Sequence, residues 1–178
     1  MNTTSSAPPL IWMGILIATG VLFSFALACG MPFAAIGALA ALMFSAREAF
    51  LLSGLGWLAN QVIGFGFLDY PLDAMTFAWG AALGCSAIAA VAVARFALSR
   101  IDTSALPLRV LISFAAAWAG QQGTVFVASL VLGGTSSAFA PAVVWFILWT
   151  NTVAFAGLFV AQIVGAKAGL ANAAKQIA

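Results

Sequence analysis

The sequence predicts an all-α polytopic membrane protein, a single bundle of six transmembrane helices with both termini cytoplasmic. Three observations carry that expectation. Hydrophobic residues make up 65% of the 178-residue chain and charged residues 6%, with a mean hydropathy of +1.16, which is too apolar for a soluble domain. A bilayer crossing needs ~20 apolar residues, so this length holds about six helices on short connections and leaves no room for a soluble domain. Finally, the charges are segregated along the chain in a way that fits one topology, set out below.

Taken in order, residues 1–9 (MNTTSSAPP) are polar, end in proline and lack the Lys or Arg that opens a signal peptide, so they read as a frayed tail rather than a cleaved leader. The first span is Leu10 to Ala28, where Gly14, Ala18, Gly20, Ser24 and Ala28 supply small residues for close helix packing. Within it FALACG has some likeness to a lipoprotein processing site, but the missing basic start argues against lipidation. Pro32 opens a second helix to about Ala46, short for a span and rich in Ala and Gly, expected to pack inside the bundle or to have its ends drawn inward. After a turn at Ser45-Ala46-Arg47-Glu48, a third helix runs from about Ala49 to Phe67. The loop FLDYPLD, with Tyr70 and Pro71, has the composition of a membrane-interface turn.

The fourth helix runs from about Ala74 to Leu98, and Ser99 to Pro107 is the one clearly polar connection. A fifth helix covers about Leu108 to Leu132, followed by a tight uncharged turn from Gly133 to Ser137. The sixth begins near Ala138, with Pro141 in its first turn, and ends at about Ala166. The transmembrane domain is thus 10–166, and 167–178 is a cytoplasmic tail with Lys167 and Lys175. On this plan Arg47, Arg95, Arg100, Arg109, Lys167 and Lys175 all fall on one side, while Asp69 and Asp73 lie on the other. Cytoplasmic loops collect Lys and Arg, so the cationic side is the cytoplasmic one.

Composition excludes several functions. There is no histidine, the commonest zinc and haem ligand and proton shuttle. No basic stripe suits nucleic acid. No acid or base lies deep in a span to serve an ion relay. The chain has no phosphate-binding GxxxxGK[ST] loop and no hydrolase constellation. What remains is a binding subunit, or a transporter powered by a partner. Cys29 and Cys85 are expected at depths differing by about 10 Å, too far for a disulfide, so both thiols are expected free.

The richest concentration of polar and aromatic chemistry is Gly56 to Ala90, which holds Asn60, Gln61, the only Tyr (Tyr70), Trp79 and Cys85. Ser53, Trp57, Asn60, Gln61 and Gly64 recur at helical spacing, as do Trp118, Gln121, Gln122, Val125 and Ser129 on the fifth helix. The sixth adds Trp145, Trp149 and Thr152 on one face and Asn151 on another. Uncharged hydrogen-bonding groups between Trp walls suit a large, neutral, partly aromatic ligand entering from outside. The same residues also serve as interhelical hydrogen bonds and interface aromatics, an alternative that spacing leaves open. Cys85 reads most simply as a small hydrophobe against a neighbouring helix, with a soft sulfur ligand to a metal carried by the substrate as the sharper alternative.

A chain of this size in six helices, with small residues packing helix one and an outward pocket, is similar to the substrate-binding S-components of energy-coupling factor transporters. The stretch GWLANQVIGFGFLDYP followed by AWGAALGC most resembles the BtuM-type cobalamin proteins. The resemblance implies capture of cobalamin as a substrate, with no intrinsic cofactor, and docking on a membrane scaffold with two ATPases. It implies that Cys85, the cysteine on a pocket-lining helix, ligates cobalt and supports removal of the upper ligand of cyanocobalamin. The substrate pocket read from the residues themselves is built from Trp57, Asn60, Gln61, Tyr70, Trp79, Trp118, Gln121, Gln122, Trp145 and Trp149. The Ala-x-x-x-Ala docking motif of that family is approximated here by Gly14 and Ala18 or by Ser24 and Ala28. Two other expectations stand beside it: a similar subunit for another vitamin or hydrophobic metabolite, and a structural subunit of a membrane complex.

Overall fold

The computed structural model describes residues 14–15, 17–19 and 31–167. Residues 14–15 and 17–19 are helical and belong to the first predicted span; the rest of that span, Cys29 and the two terminal tails lie outside the described residues. The described chain is all helical: α1 (Phe33–Met43), α2 (Ala46–Phe67), α3 (Ala74–Ser99), α4 (Leu106–Leu132), the single turn α5 (Thr135–Ala138) and α6 (Pro141–Lys167). Four of these, α2, α3, α4 and α6, are long and apolar enough to cross a membrane. Their outward faces carry large apolar side chains such as Leu58, Val62, Leu111, Val131 and Val160, as lipid contact requires.

α1 is the exception and the centre. Its 11 residues rise about 17 Å, roughly half of the ~30 Å apolar layer, so by length it does not cross alone. Every one of its residues is buried, and it packs against all four long helices. The Ala- and Gly-rich sequence FAAIGALAALM explains how: small side chains let four neighbours close around one helix. At Gly37 a methyl group would lie 2.9 Å from Ala90 Cβ and 3.2 Å from Val91 N on α3. α3 and α4, the most extensive pair, approach as closely, since a methyl at Gly120 would meet the Ala89 carbonyl oxygen at 2.7 Å.

A helix that starts inside an apolar bundle leaves backbone N–H groups that water cannot reach. Pro32, at the N-cap, has no hydrogen-bonding side chain to offer. The N–H groups are satisfied from other helices: Ala34 N–H donates to Gln121 Oε1 of α4 at 3.0 Å, and Ala35 N–H donates to Asn151 Oδ1 of α6 at 3.1 Å. Asn151 is itself oriented because its Nδ2 donates to the Ile147 carbonyl at 2.9 Å. Farther along, Ser113 Oγ donates to the Ala38 carbonyl at 2.9 Å. At the other end Arg95 Nη1 donates to the Phe44 carbonyl at 3.0 Å, putting a cation where the helix dipole is negative. Among the described residues no sealed side-chain nitrogen or oxygen is left unpaired.

The remaining boundaries follow from local chemistry. α2 starts three residues earlier than the sequence reading placed it, because Ser45 and Glu48 form a reciprocal capping box rather than a plain turn. Its C-terminal turn ends on Asp69 with a φ of 51°, a left-handed position that Asp tolerates, and Tyr70 N–H then returns to the Gly64 carbonyl. Asp73 caps α3 by accepting from Thr76 N–H at 2.8 Å. Gly133 and Gly134, both with positive φ, turn the chain into α5. Arg95 on the last turns of α3 reaches the α1–α2 junction, so the ends carrying Arg47, Arg95 and Arg100 lie together.

Two outcomes are expected. Asn151→Leu and Gln121→Leu each strand a buried N–H and lower stability by about 1–3 kcal/mol, while Ser113→Ala, which leaves the Ala38 carbonyl its own helical bond, costs about 0.5–1.5 kcal/mol; thermal unfolding in detergent ranks them. The Thr76 backbone N–H, then its side chain, hold the exposed Asp73 carboxyl below its ordinary value. Its contribution is therefore present above the usual carboxylate range and lost as pH falls through the lowered native value. Hydrogen exchange at the Thr76 amide, measured down through acid pH, reads that loss, and Asp73→Ala removes the pH dependence.

Candidate functional site

The residues singled out in the sequence divide between two faces of α3. On the first face, toward α2, Trp57 is half-buried and its Nε1 donates to the Gly80 carbonyl at 2.8 Å. This bond lays the indole against α3, where a methyl at Gly84 would sit 2.8 Å from the Trp57 ring. Gln61 lies one helical turn on, its Oε1 over Gly80. One turn earlier Ser53 Oγ donates to the Ala87 carbonyl at 2.8 Å and completes the α2–α3 seam. The face of α2 expected to avoid lipid is thus the inward one, with Ser53, Gly56, Asn60 and Gly64 buried.

Cys85 stands beside this seam, near the middle of α3. Its thiol is free and the residue is exposed. An open groove of about 580 Å³ runs past it, lined by Gly54, Trp57, Ala81, Gly84, Cys85, Ile88 and Ala89. A second open groove of about 410 Å³, between α3 and α4, is lined by Ala82, Cys85, Gly123, Thr124, Val127 and Ala128. Cys85 is the residue common to both. The small residues around it leave the sulfur approachable by a bulky ligand, with Trp57 as the aromatic wall among the described residues.

The second face of α3 turns toward α1, α4 and α6. There Met31, Phe33, Leu83, Gln121, Phe146, Ile147, Thr150 and Asn151 surround a smaller, more enclosed cavity of about 100 Å³. Gln121 and Asn151 therefore have two positions at once, capping α1 and walling this cavity.

The other expected site residues are distributed around these features. Gln122 and Trp118 on α4 are half-buried, with Trp118 packed against the core. Trp79 is half-buried on α3. Tyr70 covers Gly64, where an added methyl would overlap its ring, and stands edge-on to Phe65 with centroids 5.9 Å apart. Trp145 and Trp149 are 67% and 60% exposed on the outer face of α6, while Asn151, Ala154, Phe155 and Leu158 form its inward stripe. The pocket read from the sequence as one constellation is thus two: Trp57, Gln61 and Cys85 on one side of α3, Gln121 on the other. Sequence reasoning passed over Thr150 and Leu83 on the cavity wall. Thr150-Asn151, a polar pair mid-span, was the available signal.

Metal binding by the protein alone has no basis among the described residues, which hold no group of three or more His, Cys, Asp or Glu side chains. Among the described residues, a soft metal arriving on a ligand would meet the thiol of Cys85.

Exposure of Cys85 predicts that maleimide labels it in the detergent-solubilised Cys29→Ser protein, and that Gly84→Leu, which fills the groove and displaces Trp57, slows labelling. Trp57→Phe, losing the bond to Gly80, lowers stability by about 0.5–1.5 kcal/mol in thermal unfolding. No family model, curated protein or solved structure matches this chain, so its functional reading rests on its own residues and geometry.

Proposed function

We propose that this chain is a six-helix subunit of the bacterial cytoplasmic membrane, with both termini inside, that binds cobalamin or a related corrinoid and takes part in its uptake. The observation that carries the reading is the free, exposed thiol of Cys85 in an open groove of about 580 Å³ walled by Trp57 and otherwise by small or aliphatic residues. That volume is within the range of small-molecule sites, and its lining is mostly apolar, as such sites are. A planar macrocycle can lie on the Ala81, Gly84 and Ala89 surface with one face toward the sulfur. Thiolate sulfur is the softest ligand a chain without histidine can offer a metal carried by its substrate.

In this reading the thiol of Cys85 exchanges for the upper ligand of cyanocobalamin: a cobalt–sulfur bond forms, the cobalt–cyanide bond breaks, and cyanide leaves with the thiol proton as hydrogen cyanide. Cobalt does not change oxidation state in that exchange. The chain has no nucleotide-binding loop, so energy for uptake comes from partners, for which an energy-coupling scaffold with its ATPases is the counterpart implied by the sequence resemblance. The cations at one end of the bundle support the orientation, since that end belongs in the cytoplasm.

A second reading has its own observation. Trp145, Trp149 and the small-residue surface around Cys85 lie open on the outside of the bundle, as they would if a partner helix covered them in a larger membrane complex.

The absorption spectrum of the purified protein after exposure to cyanocobalamin and gel filtration separates the two. Corrinoid uptake predicts a retained chromophore with a shifted visible band in the wild type, and no shift in Cys85→Ala. No retained corrinoid in either protein, together with copurification in a stable complex, overturns the corrinoid reading in favour of the second.

A further inference from the structure

We infer that the cavity at the N-terminal end of α1 is a binding site for an uncharged carbonyl or carboxamide group of a small ligand, separate from Cys85 and not dependent on the corrinoid reading. The cavity, about 100 Å³, is walled on its apolar side by Phe33, Leu83 and Phe146 and on its polar side by Gln121, Thr150 and Asn151. Thr150 is only 4% exposed, yet among the described residues its hydroxyl makes no hydrogen bond. Since no sealed side-chain oxygen or nitrogen among those residues is unpaired, the Thr150 hydroxyl is not sealed, and the surface it reaches is the cavity it lines. Facing the cavity and making no bond within the described chain, that hydroxyl is available to a water or a ligand there.

Gln121, 5% exposed, adds the complementary group. Its amide orientation is fixed, because Oε1 must face the donating Ala34 N–H, which turns Nε2 the other way as a donor. The N-terminus of α1 lies alongside and contributes positive potential. A donor amide, positive helix-end potential and a hydroxyl that can donate or accept together suit a carbonyl oxygen with an adjacent N–H. A carboxylate is excluded by cost: among the described residues no Lys or Arg lines the cavity, and an unpaired charge between apolar helices is expensive. Size sets the class. At ~30 Å³ per water the space admits a group of a few heavy atoms and no macrocycle.

Fluorine NMR tests this with 2,2,2-trifluoroacetamide as probe and trifluoroacetate as its charged counterpart, on the full chain in lipid nanodiscs with empty nanodiscs subtracted. The expected result is protein-dependent broadening of trifluoroacetamide, none of trifluoroacetate, and affinity about fivefold weaker in Thr150→Val, as loss of one hydrogen bond predicts. Thr150→Ser, which keeps the hydroxyl, retains binding; Leu83→Phe, which fills the cavity, abolishes it. Cys85→Ala leaves the broadening unchanged, so failure of the corrinoid reading does not register here. Equal broadening in wild type and Thr150→Val, equal broadening by trifluoroacetate, or no broadening in the wild type overturns the inference. A Thr150→Val protein that unfolds at or above the wild-type temperature shows that lost binding is not lost fold.

Discussion

Two side-chain-to-backbone hydrogen bonds, Gln121 to Ala34 N–H and Asn151 to Ala35 N–H, are the constraint on which this bundle depends. α1 begins in the apolar interior, where an unpaired N–H has no water to turn to. Supplying its partners from α4 and α6 fixes the rotation of both helices about their own axes. Once Asn151 points inward, Ala154, Phe155 and Leu158 follow it into the core, and Trp145 and Trp149 must face outward. Once Gln121 points inward, Ala117 and Ser113 on the same stripe face α1 as well. α3 is fixed separately, by the close approach of Gly37 to Ala90 and by the Ser53 bond to Ala87, and that setting leaves Cys85 exposed.

The membrane class was legible from composition alone, because no arrangement of a chain this apolar satisfies water. The helix limits were nearly as legible where breakers act: Pro71 and Asp73 before α3, Gly133 and Gly134 after α4, Pro141 at the start of α6. α2 was misplaced at its start because Ser45 and Glu48 were read as a turn, although serine followed three residues later by glutamate is a capping box. The central role of α1 was harder to see. Alanine is at home on any helix face, so an Ala-rich segment of 11 residues has no periodicity to declare that all its sides are covered.

The site was legible by residue type and not by arrangement. Gln, Asn and Thr have the same donors and acceptors whether they cap a helix or hold a ligand, so Gln121 read as a ligand contact and proved to be a cap as well. α6 offered two stripes, one of Trp145, Trp149 and Thr152 and one through Asn151. Nothing local ranks them, because the choice is made by the unsatisfied N–H of Ala35 on another helix. The separation of Cys85 from Gln121 has the same origin. Leu83 and Cys85 are two residues apart, and two residues on a helix face nearly opposite ways, so the polar cavity and the thiol groove share a helix without sharing a space.

The most direct test of this account is residue-resolved hydrogen exchange at the Ala34 and Ala35 amides, in the wild type and in Asn151→Leu. If the two caps hold α1 in a closed interior, both amides exchange as slowly as those in the middle of α3, and Asn151→Leu accelerates Ala35 before the rest of the bundle opens. Fast exchange at Ala34 and Ala35 in the wild type, or an Ala35 rate untouched by loss of Asn151, would contradict it.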